Sequence, residues 1–143
     1  MNEAKLAKAI SELMPNVIRG VHLDFFTKRS ITQTQFIMLI AVRSYGTCSM
    51  SKLAGNMNVS MPTVTGIADR LFRMGLVKRS ERPEDRRTVL LSLTAKGESF
   101  INAFKKAIEA RWSVILKNLN ERERENFYQI VTKLLSHLQS EKP

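Results

Sequence analysis

The sequence predicts a mainly α-helical chain interrupted by one β-hairpin, with a helix-turn-helix directly before the hairpin. Three observations carry this reading. Breakers are sparse, with four prolines and six glycines in 143 residues, too few to cut the chain into many short elements. Apolar residues recur at three- and four-residue steps over most of the length, which is the helical period. One stretch changes period: Val89, Leu91 and Leu93 alternate, as in a strand with one covered face.

Charge narrows the class of partner. Lys plus Arg number 23 against 13 Asp plus Glu, a formal net charge of +10, which suits a polyanion such as nucleic acid or an anionic membrane surface. No apolar run approaches the roughly 18 residues that span a bilayer. The start, Met1-Asn2-Glu3-Ala4-Lys5, lacks the apolar core of a signal peptide. The single cysteine, Cys48, excludes an intramolecular disulfide. A cytoplasmic protein with no membrane partner is expected. There is no Gly-rich phosphate loop, no HExxH and no CxxC, and Asp24 and Asp69 have no sequence-evident partner, so no catalytic residue is expected. His22, His137 and Cys48 are too widely spread for a dedicated zinc site.

The first helix is expected from Glu3 to Lys28, with a stripe of Leu6, Ile10, Leu13, Val17, Val21 and Phe25. Pro15 inside it removes a backbone donor and is expected to kink or split it. The second helix starts at a capping box, Thr32 with Gln35, and Ile31 and Phe36 are placed as a hydrophobic staple. It runs to about Ser44, where Tyr45-Gly46-Thr47 ends it. Ser49 caps a short helix from Met50 to Met57. After the turn Asn58-Val59-Ser60, Ser60 caps a helix from Met61 to Met74, with Pro62 in its first turn and Gly75 as its stop. Val64, Ile67, Ala68 and Leu71 face inward; Thr63, Thr65, Gly66, Arg70 and Arg73 face outward.

Two helices joined by a tight turn, the second with small polar residues on its outer first turns, form a helix-turn-helix pattern. Thr63 and Thr65 are short enough to let the helix approach base edges, Gly66 allows closer approach still, and Arg70 and Arg73 reach phosphates or guanines. A surface helix pair with solvated charges is the alternative. The hairpin that follows weighs against it. Strands over Leu76–Ser80 and Thr88–Leu93 flank a long polar tip, Glu81-Arg82-Pro83-Glu84-Asp85-Arg86-Arg87, and seven basic residues stand against three acidic ones from Arg70 to Arg87. Two long helices finish the chain, one capped by Thr94 and running to about Leu119, the other capped by Asn120 with Glu123 at N3. Their stripes, Ile101, Phe104, Ile108, Trp112 (or Arg111), Ile115 and Leu119, then Phe127, Ile130, Val131, Leu134 and Leu138, are best buried together with the first helix against a partner subunit; an intramolecular helical bundle is the alternative.

Over nearly its whole length the chain resembles the MarR family of winged helix-turn-helix regulators. The resemblance rests on Asp69-Arg70-Leu71, Gly75-Leu76-Val77, Asp85-Arg86-Arg87 and the closing Leu91-Ser92-Leu93-Thr94-Ala95-Lys96-Gly97. Each piece is weak alone; their joint order and spacing are specific. The resemblance implies a single MarR-type domain over 1–143. A winged helix-turn-helix lobe with a two-stranded wing would occupy 32–93, and dimerisation helices 1–28 and 95–143. It implies a homodimer on double-stranded DNA with an inverted-repeat operator, probing a major groove with Ser60, Pro62, Thr63, Thr65, Gly66, Arg70 and Arg73. The wing residues Arg79, Arg82, Asp85, Arg86 and Arg87 would act at the adjacent minor groove and phosphates, with Arg87 in the groove and Asp85 pairing to it and fixing its direction. Repression is the default for the family. No cofactor is implied beyond a small aromatic or phenolic effector, in a cleft that His22, Phe26, Phe36 and Trp112 would line; ordinary core packing is the plainer reading of each. Cys48 lies away from the position at which some relatives sense oxidants, and is read as a small buried side chain. The chain departs from common family sequences at Gly66, Gly55 and Pro15. The rival from another class is a winged helix used as an architectural or protein-interaction module without operator specificity, which the polar recognition helix disfavours.

Overall fold

In the computed structural model, which describes residues 1–140, the helix starts fall where the sequence puts them, while the fifth helix stops at Leu116, short of the expected Leu119. Helix α1 runs over Glu3–Arg29 and is capped by Asn2, whose side chain accepts the Lys5 N–H at 3.0 Å. It is continuous through Pro15, against the expectation of a kink or split. The missing donor strands only the carbonyl of Ser11, and Ser11 is exposed, so water can satisfy it. Helix α2 covers Gln33–Tyr45, and its capping box is complete: the Gln35 N–H donates to Thr32 Oγ1 at 3.1 Å, and the Thr32 N–H to Gln35 Oε1 at 3.0 Å. Ile31 and Phe36 both join the core.

Strand β1, Thr47–Ser49, was not expected. Three residues are too few to show a period, and the strand exists only through antiparallel pairing with Leu90–Ser92. The sheet therefore has three strands, in the order β1-β3-β2, and not the two expected of a wing. Helix α3, Met50–Met57, is capped by Ser49, and helix α4, Met61–Arg73, by Ser60. Asn58 at φ 53° ends α3, a left-handed position that asparagine tolerates well. Gly75 at φ 74° ends the turn after α4.

Strands β2, Val77–Arg82, and β3, Asp85–Leu93, extend into the polar segment and leave only Pro83-Glu84 as the turn. The expected long charged tip is instead a tight, slightly irregular hairpin. Its strands stand free on both faces there, so the ladder continues through charged residues and no apolar alternation marks it.

Helix α5 covers Ala95–Leu116 and helix α6 Glu121–Ser140. The chain divides within α5 into two units, 1–107 and 108–143. The core of the first comes from α2, α3, α4, β3 and the start of α5, with Met38, Leu39, Val42, Leu53, Val64, Leu71, Leu91 and Ile101 fully buried. At the start of α5 the Thr94 hydroxyl donates to the Gly75 carbonyl at 2.6 Å and accepts the Gly97 N–H at 3.0 Å. Lys96 Nζ donates to the Met74 carbonyl at 2.8 Å, and Gly97 packs so closely that an added Cβ would overlap the Leu76 carbonyl oxygen. In the second unit Asn120 and Glu123 form a reciprocal cap at 3.0 and 2.8 Å, and α6 buries none of its residues. No helix among the described residues is long and apolar enough to cross a membrane.

Candidate nucleic-acid interface

Helices α3 and α4 meet through the turn at 58–60, and α4 divides cleanly into two faces. Val64, Ala68 and Leu71 are fully buried and Ile67 is half-buried; Ser60, Pro62, Thr63, Thr65, Gly66, Arg70 and Arg73 are all exposed. Capping ties down part of the outer face. Ser60 Oγ accepts the Thr63 N–H at 3.3 Å and lies 2.8 Å from Thr63 Oγ1. Arg73 Nε folds back on the Asp69 carbonyl at 3.4 Å. Arg70 lines an open groove of about 290 Å³ with Thr32, Gln35, Pro62, Thr63 and Gly66. Sequence reading missed Met61, which is 47% exposed in the first turn. A methionine invites assignment to the core, but this one stands beyond the core's end.

The hairpin carries Arg82, Asp85, Arg86 and Arg87 exposed beside α4. Between residues 32 and 93, nine basic side chains stand against four acidic ones. Two expectations change here. Asp85 does not hold the Arg87 guanidinium; its carboxylate accepts the Arg87 backbone N–H at 3.0 Å and the Thr88 hydroxyl at 3.2 Å. A short side chain at the start of a strand reaches the amide two residues on more readily than it reaches the end of a long arginine. Arg79, expected among the wing contacts, forms an ion pair with Asp69 on α4 and lies over the Phe72 ring at 4.5 Å. Asp69 thus gains a partner ten residues away, across a helix end and a strand start, a separation no local pattern reveals.

Elsewhere in the first unit, His22, Phe26, Phe36 and Phe104 line a cleft of about 460 Å³ together with Gln33 and Ser44. A second hollow of about 380 Å³, lined by Arg19, shares His22, Phe26 and Gln33 with it. Behind them Phe25, missed as a site neighbour, stacks edge-on against Phe36, Phe100 and Phe104. Trp112, also expected in this cleft, belongs to the second unit, where its ring lies 6.0 Å from that of Phe127. Cys48 is buried in β1, and burial raises its thiol above the ordinary value, with Lys52 pulling the other way.

A capped helix with a short-side-chain outer face, preceded by a tight helical turn and followed by a basic hairpin, defines a winged helix-turn-helix DNA-binding protein. Comparison with known proteins agrees. The model of the MarR family matches residues 31–89. Over 115 residues the chain is 34% identical to the HTH-type transcriptional repressor MdtR of Bacillus subtilis (strain 168), covering 78% of this chain and 72% of that one. The crystal structure of the YusO protein from Bacillus subtilis, 26% identical, superposes with a TM-score of 0.80 and covers 95% of this chain and 99% of its own. A MepR mutant from S. aureus, solved bound to an oligodeoxyribonucleotide, shares the fold at 23% identity and a TM-score of 0.70, covering 96% of this chain and 99% of its own. The chain belongs to the MarR family of winged helix-turn-helix transcriptional regulators.

Proposed function

We propose that this protein is a cytoplasmic, homodimeric repressor that binds an inverted-repeat operator and is released by a small aromatic or phenolic effector. One observation carries the DNA-binding part: an exposed recognition helix of small side chains next to an arginine-rich hairpin, in a lobe with a strong basic excess. Repression is supported by the relative named as a repressor. Dimerisation is supported by the apolar stripes that stay exposed on α1 and on α6, such as Leu13 and Leu134. The effector reading is supported by the aromatic cleft and by the polar groups at its rim, Arg19, His22 and Gln33.

Selection from random double-stranded DNA, followed by footprinting against scrambled competitor, tests the central claim. A symmetric site with half-sites about 10 base pairs apart is expected, with affinity that falls steeply as salt rises. Binding without sequence preference would instead favour an architectural module. A panel of phenols and aromatic carboxylates, scored by release from the selected site, tests the effector reading; His22→Ala should reduce the response and leave DNA binding intact.

A further inference from the structure

The outer surface of the first two turns of α4 is unusual for a DNA-reading helix. From Ser60 to Gly66 there is no Arg, Lys, Asn or Gln, the residues that make bidentate contacts to guanine or adenine in the major groove. Apart from short hydroxyls, what stands there is apolar. Met61 is the largest side chain and is half exposed; Thr65, four residues on, is exposed beside it on the same face, and Pro62 is exposed on the adjoining flank. The Thr63 hydroxyl already has one partner in the Ser60 cap, 2.8 Å away, and its side chain also offers a methyl. The fold does not require Gly66 to lack a side chain, because a Cβ there would meet nothing within 4 Å, so its effect is to keep the surface shallow. The carboxylate on this side of the helix, Asp69, is neutralised by Arg79.

We propose that the recognition helix reads its half-site through thymine C5-methyl groups, with Met61 as the principal contact and Pro62 and the threonine methyls as its surround. The thymine methyl is the one apolar group that base edges present in the major groove, and it matches this surface as a guanine or adenine edge does not. The inference rests on the DNA-binding reading above and adds which chemical group of the operator is recognised.

The experiment replaces thymines of the selected operator one position at a time by deoxyuridine, which removes only the methyl and keeps base pairing. At one or two positions of the half-site core, affinity should fall about fourfold for each methyl lost, the equivalent of one buried methyl group, and about fifteenfold when both half-sites carry the change. Met61→Ala should bind the thymine operator more weakly by a similar factor and no longer distinguish thymine from deoxyuridine at the position it contacts. Met61 is exposed, so this variant should fold as wild type does, and circular dichroism checks that. Tight binding with no deoxyuridine effect at any core position overturns the proposal and leaves the DNA-binding reading standing. A deoxyuridine effect that persists unchanged in Met61→Ala overturns the assignment to Met61. A protein that selects no sequence removes the DNA-binding reading, and this inference with it.

Discussion

Asp69 on α4 and Arg79 on β2 form an ion pair, and the same guanidinium lies over the Phe72 ring. One arginine of the hairpin therefore holds to two points on the recognition helix, one turn apart. The pair is partly exposed, so its worth to stability is small, about 0.5–1 kcal/mol. Its geometric role is to tie together, at one point, the two elements that must reach DNA together.

The charge removed and the affinity lost should accordingly disagree in sign. Deleting a carboxylate from a DNA-facing helix ordinarily strengthens binding, yet Asp69→Asn should weaken it. Arg79→Ala should weaken it as well, without lowering the salt slope as loss of a phosphate contact would. The double variant should lose little beyond either single one. Affinity measured across a salt series decides this; tighter binding by Asp69→Asn would remove the positioning role.

Arg87 should act on shape and not on the central code. Arg87→Ala is expected to cost about 1–3 kcal/mol on all sequences and to flatten A·T preference in the flanks of the site. Because the Asp85 carboxylate accepts a backbone amide and a hydroxyl on different oxygens, Asp85→Asn, which keeps one oxygen for the amide and gains an NH2 that can donate to the Thr88 hydroxyl, should bind nearly as wild type while Asp85→Ala weakens binding. If the asparagine variant fails as badly as alanine, the carboxylate charge matters more than the turn it holds.

Two glycines should respond oppositely to alanine. Gly97→Ala drives a methyl into the Leu76 carbonyl and should destabilise the fold by about 2–3 kcal/mol or more. Gly55, inside α3 with open space at its Cβ, should gain up to about 1 kcal/mol as alanine. Denaturant midpoints at constant slope measure both.

The stripe on α6 should prove to be an interface. Sedimentation is expected to give about 33 kDa, twice the 16.3 kDa of one chain, at micromolar concentration. Leu134→Asp, at a residue 57% exposed in the single chain, should dissociate or unfold the protein. A folded wild-type monomer in the same run contradicts this.

Cys48 supplies a pH test. Its thiol ionises later in the folded protein than in the unfolded chain. The stability this neutral thiol contributes is complete below the unfolded value, and is lost as pH rises from there through the raised folded value. Above about pH 8.5, the ordinary thiol value, wild type should lose stability faster than Cys48→Ala. Equal slopes for the two would refute it.

Much of this architecture is written locally. Thr32 with Gln35, Ser49, Ser60, Thr94 and Asn120 with Glu123 each announce a helix start through a hydrogen bond spanning three residues, and each is visible in the sequence for that reason. What stayed hidden depends on partners far along the chain. Strand β1 owes its existence to residues more than forty positions later. Asp69 waits for Arg79, and the Asp85 carboxylate chose a backbone amide that no side-chain pattern records. Met61 went unassigned for another reason: composition says how greasy a residue is, and only the fold says whether the core extends far enough to cover it.

The joint between the recognition helix and α5 has no slack. Hydrogen bonds from Thr94 and Lys96 grip the carbonyls that end α4, and a backbone oxygen fills the space where any side chain at position 97 would stand. A joint of this kind works as a crank, not as a hinge. Helix α5 starts at this joint, at about 1.5 Å per residue, and turning its first turns by a few degrees would either swing the reading head through the same angle or strain the coupling. A ligand that turned the start of α5 would therefore act on the reading head without touching it.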